Sequence, residues 1–306
     1  MSIEPAAASS TAASVIAIFG PTASGKSALA EAVADQLETE VISADAMQVY
    51  RDVPILTNQP SRPTRLVAIR ELGETMSVGE YERLAHAAID EIVAQRGSVV
   101  VAGGTGLYLR AALTDLRLPP PPPPGLREET EALVASLGPG AAHTHLAALD
   151  PAAAAAVHAN DHRRLVRALE LVALGRSLAP SRDRLWSGEM RRPTLLIGLD
   201  VPPNELEQRI RARTAEMIER GAGEEARRAA VTSKTARHVM GLEELRTLPA
   251  EEALEAIVIR TRRYAAYQRK WMRRLPLDAV LDGTRPSTWL AAEVIEAARA
   301  GGQCLS

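Results

Sequence analysis

The stretch that decides the fold is Val15-Ile16-Ala17-Ile18-Phe19-Gly20-Pro21-Thr22-Ala23-Ser24-Gly25-Lys26-Ser27. A short apolar run leads into a glycine-bounded turn, and residues 28–37 have a helical pattern. This order predicts a phosphate-binding loop, because the N–H groups of such a turn converge on an anion and the helix N-terminus adds partial positive charge. We expect the loop, Gly20 to Ser27, to bind a di- or triphosphate as ATP- and nucleotide-binding proteins do. Lys26 would reach the outer phosphate and the Ser27 hydroxyl would ligate Mg²⁺.

Composition narrows the class of protein. The 306 residues are 46% hydrophobic, which is ordinary for a globular protein, and the net charge is −2. The lone cysteine, Cys304, excludes a disulfide framework and a thiolate metal site.

No apolar run approaches the length needed to span a membrane. Residues 1–14 are rich in Ala, Ser and Thr without a basic start, so we expect a disordered tail and not a signal peptide. We expect a cytoplasmic monomer.

Further apolar runs predict strands at 40–45, 98–102 and 195–199, and 78–95 has helical periodicity. Apolar strands that alternate with helices indicate an α/β fold, here a P-loop NTPase-like, mostly parallel sheet flanked by helices. Ligands of such sheets lie beyond the carboxyl ends of the strands. The phosphate loop, Asp45 and Thr105 all fall there, so they are expected to meet in one cleft.

A helical insertion interrupts this pattern. Residues 119–124 are six consecutive prolines, which form a stiff, extended segment. From 125 to about 181 the sequence is alanine-rich and helical, with no strand pattern. We therefore predict a tail (1–14), a first core segment (15–118), a polyproline arm with a helical insertion (119–192), and a second, mainly helical core segment (193–306).

Two polar positions beside the phosphate loop are candidates for chemistry. Asp45 at a strand end is expected either to coordinate Mg²⁺ or to act as a general base. The loop after it, Ala46-Met47-Gln48, has the mixed hydrogen-bonding character that suits a flat, polar partner such as a nucleobase. Thr105, set among glycines, would bring a hydroxyl to the same cleft. The arginine clusters at 163–167 and 260–274 are either contacts to a phosphate backbone or solvated, salt-bridged helix faces.

Taken together, five ordered motifs resemble the tRNA dimethylallyltransferase family. Besides the phosphate loop they are Ser43-Ala44-Asp45-Ala46-Met47-Gln48-Val49-Tyr50-Arg51, Gly103-Gly104-Thr105-Gly106-Leu107-Tyr108, His158-Ala159-Asn160-Asp161-His162-Arg163-Arg164-Leu165-Val166-Arg167-Ala168-Leu169-Glu170 and Arg260-Thr261-Arg262-Arg263-Tyr264-Ala265-Ala266-Tyr267-Gln268-Arg269-Lys270-Trp271. The resemblance implies transfer of a dimethylallyl group from its diphosphate to the exocyclic amine of the adenine next to the anticodon of tRNA.

The resemblance also implies roles for the residues. Lys26 and Mg²⁺ on Ser27 would stabilise the leaving diphosphate, Asp45 would accept a proton from the adenine amine, and Thr105 would position the donor or the amine. The residues expected to contact the tRNA anticodon stem-loop are Asp45, Ala46, Met47, Gln48, Thr105, Arg127, Arg163, Arg164, Arg167, Arg237 and His238.

The chain departs from the family pattern at two places and leaves rival functions open. Gln59 stands where the family usually has lysine, and Gly241-Leu242-Glu243 lacks the usual aromatic residue and cation, so Arg237 or His238 would have to serve that region. An adenylate isopentenyltransferase would use the same donor on a free nucleotide, but would not need the insertion and its arginines. A small-molecule kinase would need ATP and a lid, and an RNA-binding protein would need no active site.

Overall fold

A computed structural model describes residues 12–116, 118–119, 121–179, 189–229 and 231–300. Most of the predicted tail, one proline of the polyproline run (Pro120), residues 180–188 of the predicted insertion and Cys304 lie outside the described residues. The chain forms two compact units, Met1–Leu116 with Gly188–Ser306, and Arg117–Ser187.

The first unit contains a five-stranded sheet whose described pairings are all parallel, in the order β2-β3-β1-β4-β5. The strands are β1 (Val15–Phe19), β2 (Val41–Ser43), β3 (Val99–Gly103), β4 (Thr194–Asp200) and β5 (Ala279–Asp282). The predicted parallel α/β fold is therefore confirmed, and the strand before the phosphate loop is the central one. The sequence did not predict β5, because this edge strand is short and buries only Leu281 fully.

Helices of the first unit connect and cover these strands. They are α1 (Lys26–Gln36), α2 (Val78–Arg96), α3 (Gly106–Leu113), and, after the second unit, α8 (Pro203–Glu219), α9 (Ala222–Arg228), α10 (Glu244–Thr247), α11 (Ala250–Met272) and α12 (Ser287–Arg299). The second unit holds α4 (Leu126–Leu137), α5 (Pro139–Leu149), α6 (Pro151–Ala156) and α7 (His162–Ala173). Among the described residues, no helix has the length and apolar content needed to cross a membrane.

Strand β1 is a continuous apolar run because all of its residues are buried. Alternate side chains point to opposite faces of the sheet, and a parallel sheet is covered on both faces. Ile16 and Ile18 pack with α1 and α12 in one core, where they meet Val33 and Val294. The strand therefore carries no polar residue until the chain leaves the sheet at Gly20.

The second unit has its own core around Val134, Leu146, Leu165 and Leu169. The α7 side chain beside this core, Glu170, is fully buried. Helix α7 begins at an Asp161 N-cap whose carboxylate accepts the Arg164 N–H at 3.1 Å, which accounts for its start just before the arginine cluster.

Candidate active site

The phosphate loop is shaped by close packing against the end of β4. A Cβ atom at Gly20 would lie 2.6 Å from the Leu199 carbonyl oxygen, so a larger residue would displace the loop from the strand. Gly25 (φ 94°) and Ala23 (φ 65°) adopt left-handed backbone conformations before α1 begins at Lys26. Alternation of left-handed and right-handed backbone conformations in a turn is typical of an anion-binding nest.

A cavity of ≈ 670 Å³ opens at the carboxyl ends of β1, β2 and β3. It is lined by five loop residues (Thr22, Ala23, Gly25, Lys26 and Ser27) and by Asp45, Ala46, Met47 and Gln48 of the loop after β2. The remaining loop residues, Gly20, Pro21 and Ser24, are buried beneath it. The structure thus brings the predicted phosphate and acceptor sides into one cavity.

Burial and two neighbouring charges act on the ammonium group of Lys26. Burial lowers its pKa to about 8; the negative charge of Asp45 opposes this shift, and the positive charge of Arg213 adds to it. Its Nζ donates to the Pro21 carbonyl at 3.4 Å. Ammonium and guanidinium groups held close together repel each other, so this part of the cavity favours a bound polyanion.

Sequence reasoning missed Arg213, which lines the cavity from α8 together with Arg209. A guanidinium N–H of Arg213 donates to Thr22 Oγ1, and burial lowers the pKa of Arg213. Arg209 donates to the Gly283 carbonyl at 2.9 Å. Their i, i+4 spacing on one helix, soon after a strand ending in an acid, was the available signal.

Asp45 faces the same cavity just beyond β2. Its Oδ1 accepts the Met47 N–H at 2.9 Å, and the described residues offer no hydrogen bond to Oδ2. One oxygen therefore orients the carboxylate while the other remains able to accept a proton or a metal ion.

Thr105 lies behind the loop that carries Asp45. Its Oγ1 accepts the Ala46 N–H at 3.2 Å, so Thr105 supports the Asp45 loop but does not itself line the cavity, contrary to the expectation. Tyr264 of α11 lines the cavity near Thr105 and Gln268. Burial, reinforced by the charge of Asp45, raises the pKa of Tyr264, so this phenol stays neutral.

Comparison with known proteins identifies the family of this chain. The IPP transferase family model matches residues 48–275, and the isopentenyl transferase model matches residues 13–70. The chain belongs to the IPP transferase family. It is 38% identical over 287 residues to a tRNA dimethylallyltransferase of Nocardia farcinica, covering 89% of this chain and 91% of the relative. It is 40% identical over 279 residues to the same enzyme of Anaeromyxobacter dehalogenans, covering 85% and 92%.

Solved structures agree with this assignment. The full-length tRNA isopentenylpyrophosphate transferase of Bacillus halodurans superposes with a TM-score of 0.67 at 31% identity, covering 94% of this chain and 96% of that one. A eukaryotic dimethylallyltransferase, described as acting on tRNA, superposes with a TM-score of 0.71 at 27% identity, covering 90% and 75%.

In this family member, Gln48 lines the cavity, whereas Gln59 supports the loop after β2 from outside it. Gln48 accepts from Ser43 Oγ at 2.7 Å and donates to the Asn58 carbonyl at 2.9 Å. Gln59 donates to the Tyr50 carbonyl at 2.7 Å and does not line the cavity. The residue that replaces the expected lysine therefore holds the loop after β2 in place.

The 3₁₀ turn Ala236–His238 carries two predicted RNA contacts, which differ in whether they line the cavity. Both Arg237 and His238 are exposed, but only His238 lines the cavity. Arg260 of α11 also lines the cavity; it donates to the His238 carbonyl at 3.1 Å and pairs with Glu244 at 2.8 Å. Leu242, at the altered family motif, is buried in the core.

Within the helical unit the predicted arginines divide into two pairs. Arg163 and Arg164 are exposed on the first turn of α7. Arg127 and Arg167 instead bind the buried Glu170, at 2.7 and 2.9 Å. Burial alone would raise the pKa of Glu170, but the two arginines outweigh it and hold the pKa below its usual range. Arg127 and Arg167 therefore form ion pairs within this unit.

The oxygen atoms at the cavity suit Mg²⁺. Ser27 presents an exposed hydroxyl and Asp45 a carboxylate oxygen, whereas the described residues contain no cluster of three or more His, Cys, Asp or Glu side chains. Mg²⁺ commonly uses one or two protein oxygens together with substrate phosphates and water. The residues present fit a metal that arrives with a diphosphate.

Proposed function

We propose that this protein transfers a dimethylallyl group from dimethylallyl diphosphate to the exocyclic amine of the adenine adjacent to the anticodon in tRNA, releasing diphosphate. One observation carries the proposal: Lys26, Arg213 and Asp45 line a single cavity that also has an apolar wall. Anion-binding groups, a proton-accepting group and apolar surface for an uncharged carbon chain thus line the same cavity.

The cationic side would support departure of the diphosphate. As the allylic C–O bond breaks, its electron pair leaves with the diphosphate. Lys26 and Arg213 stabilise that charge in a partly dry site, where such interactions are stronger than in water. When bound at Ser27, Mg²⁺ would neutralise further charge on the phosphates. Burial lowers the pKa of Arg213, but arginine is not deprotonated in proteins, so its guanidinium keeps its charge.

Asp45 would act on the acceptor, the exocyclic amine of the adenine. The adenine amine attacks the allylic carbon, a new C–N bond forms, and the amine proton passes to Asp45. The Met47 N–H on Oδ1 keeps the carboxylate oriented for this step. The Thr105 hydroxyl would position the reacting groups through the Asp45 loop, which it supports at Ala46. An adenine stacked within the anticodon loop cannot enter such a cavity, so the base has to be turned out of the loop.

The apolar wall suits the five-carbon group. Leu56, Met217 and Met240 line the cavity with aliphatic and thioether surface. Such side chains suit a hydrocarbon chain and exclude the water that would otherwise compete with the amine for the allylic carbon.

The exposed arginines suit the RNA backbone. We propose that Arg163 and Arg164 neutralise phosphates of the anticodon stem-loop, with His238 contacting RNA at the cavity and the exposed Arg237 contacting it beside the cavity. We further propose that the protein acts as a monomer in the cytoplasm.

The test supplies radiolabelled dimethylallyl diphosphate and Mg²⁺ with three acceptors in separate reactions: unmodified tRNA, the same tRNA with the target adenine changed to guanine, and AMP. Label in the first alone supports the proposal. Label in AMP alone selects the adenylate isopentenyltransferase, and label in none overturns transfer. A parallel assay for ATP turnover without the donor tests the kinase alternative.

A further inference from the structure

The side chain of Gln268 joins two loops beyond the end of the sheet. The β1–β3 ladder ends where Phe19 pairs with Gly103. Past that point, Gln268 Oε1 accepts the Thr22 N–H at 2.8 Å and its Nε2 donates to the Gly104 carbonyl at 2.9 Å. The side chain comes from α11 and is almost completely buried. We call this pair of hydrogen bonds the Gln268 bridge.

The surroundings are shaped to admit this amide. A Cβ atom at Gly104 would run into Gln268 Nε2, so the bridge requires glycine there. Thr22 is held a second time, because its Oγ1 accepts from Arg213 of α8. The tip of the phosphate loop is thereby attached to α11 through its main chain and to α8 through its side chain.

We propose that Gln268 is a positioning residue that sets the separation between the diphosphate loop and the loop carrying Thr105. The inference rests on the proposed function. In a transfer reaction the breaking C–O bond and the attacking amine have to be aligned, and a displacement of about 1 Å costs on the order of a hundredfold in rate. The two loops belong to different strands, and beyond Phe19 and Gly103 no ladder bond joins them.

The chemistry of the bridge requires an amide. One end has to accept from an N–H and the other has to donate to a carbonyl, which a glutamine side chain does at once. An ionised carboxylate accepts at both ends and repels the Gly104 oxygen, whereas a protonated carboxyl again offers one acceptor and one donor. A methionine of similar volume offers neither.

The test compares Gln268→Glu and Gln268→Met with the parent. Gln208→Glu, the same change at an exposed position of α8, is the control. At pH 8, kcat of both Gln268 variants is expected to fall about ten- to a hundredfold, with KM for donor and tRNA changed less than about threefold. As the pH is lowered toward 6, the ratio of Gln268→Glu to parent is expected to rise, while that of Gln268→Met stays constant. A pH-independent ratio for both variants, or a change confined to KM, overturns the proposal.

A second measurement does not depend on transfer. Amide hydrogen exchange of Gln268→Met is expected to be faster in peptides covering 20–27 and 103–108, with the rest of the sheet and the Gln208→Glu control unchanged. Unchanged exchange in these loops, or faster exchange spread through the sheet, overturns the bridge. If the parent transfers label to no acceptor, the proposed function fails together with the catalytic part of this inference, and the exchange result still decides whether Gln268 joins the loops.

Discussion

Raising the pH should weaken the binding of diphosphate through one group, Lys26. Burial brings its pKa to about 8 in the protein without ligand. A bound polyanion favours the charged ammonium and raises that pKa. The group is then about nine-tenths protonated at pH 7 and about one-tenth protonated at pH 9 before binding. Affinity that depends on the ammonium is nearly full at pH 7, is about halved at pH 8 and falls about tenfold between pH 7 and 9.

The assay is calorimetric titration with inorganic pyrophosphate and Mg²⁺ at half-unit steps from pH 6.5 to 9.5. Pyrophosphate itself titrates, so the informative quantity is the ratio of dissociation constants of Lys26→Met and parent at each pH. This ratio is expected to fall toward one above pH 8, since the parent loses the charge that the variant never had. Lys270→Met, at an exposed position of α11, controls for the general loss of a lysine.

The causes of the Lys26 shift also carry signs that can be tested. Asp45 opposes the lowering, so Asp45→Asn should move the midpoint to lower pH. Arg213 contributes to the lowering, so Arg213→Met should move it to higher pH. A ratio that does not change with pH, or midpoint shifts of the opposite sign, would refute this electrostatic reasoning.

Three further predictions concern the acceptor side and the helical unit. Asp45→Asn should lower the single-turnover rate about a hundredfold or more with little change in tRNA binding; lost binding would make Asp45 a recognition residue. Arg163→Gln should weaken tRNA binding and reduce the slope of log affinity against log salt by about 1, as measured by filter binding; an unchanged slope argues against a phosphate contact. Glu170→Gln should destabilise the helical unit by about 2 kcal/mol, because two arginines lose their buried partner. Hydrogen exchange across α7 measures this effect, and unaltered protection would show that the ion pairs contribute nothing.

The insertion shows where sequence patterns stop being informative. The arginines of α7 form one cluster in the sequence, and its spacing alone left a phosphate-binding surface and a salt-bridged helix equally open. The structure separates them, since Arg163 and Arg164 face solvent whereas Arg167 turns to the buried Glu170. Arg127, far away along the chain, joins the same carboxylate. A buried partner on another helix turn cannot be read from the composition of a cluster.

The sequence alone determined the conformation of the phosphate loop and the polar residues that follow the ends of the parallel strands. The phosphate loop is a run of consecutive residues, so its backbone conformation follows from its glycines and the helix after it. Asp45 and Thr105 could be placed with it because parallel strands end at one edge of a sheet. The tertiary structure alone decided which residues close the site from the other side. Arg213 and Gln268 contact Thr22 from 191 and 246 residues away. On α8, Arg211 pairs with Glu255 at the surface while Arg213 enters the cavity, and only the packing of the helix selects between them.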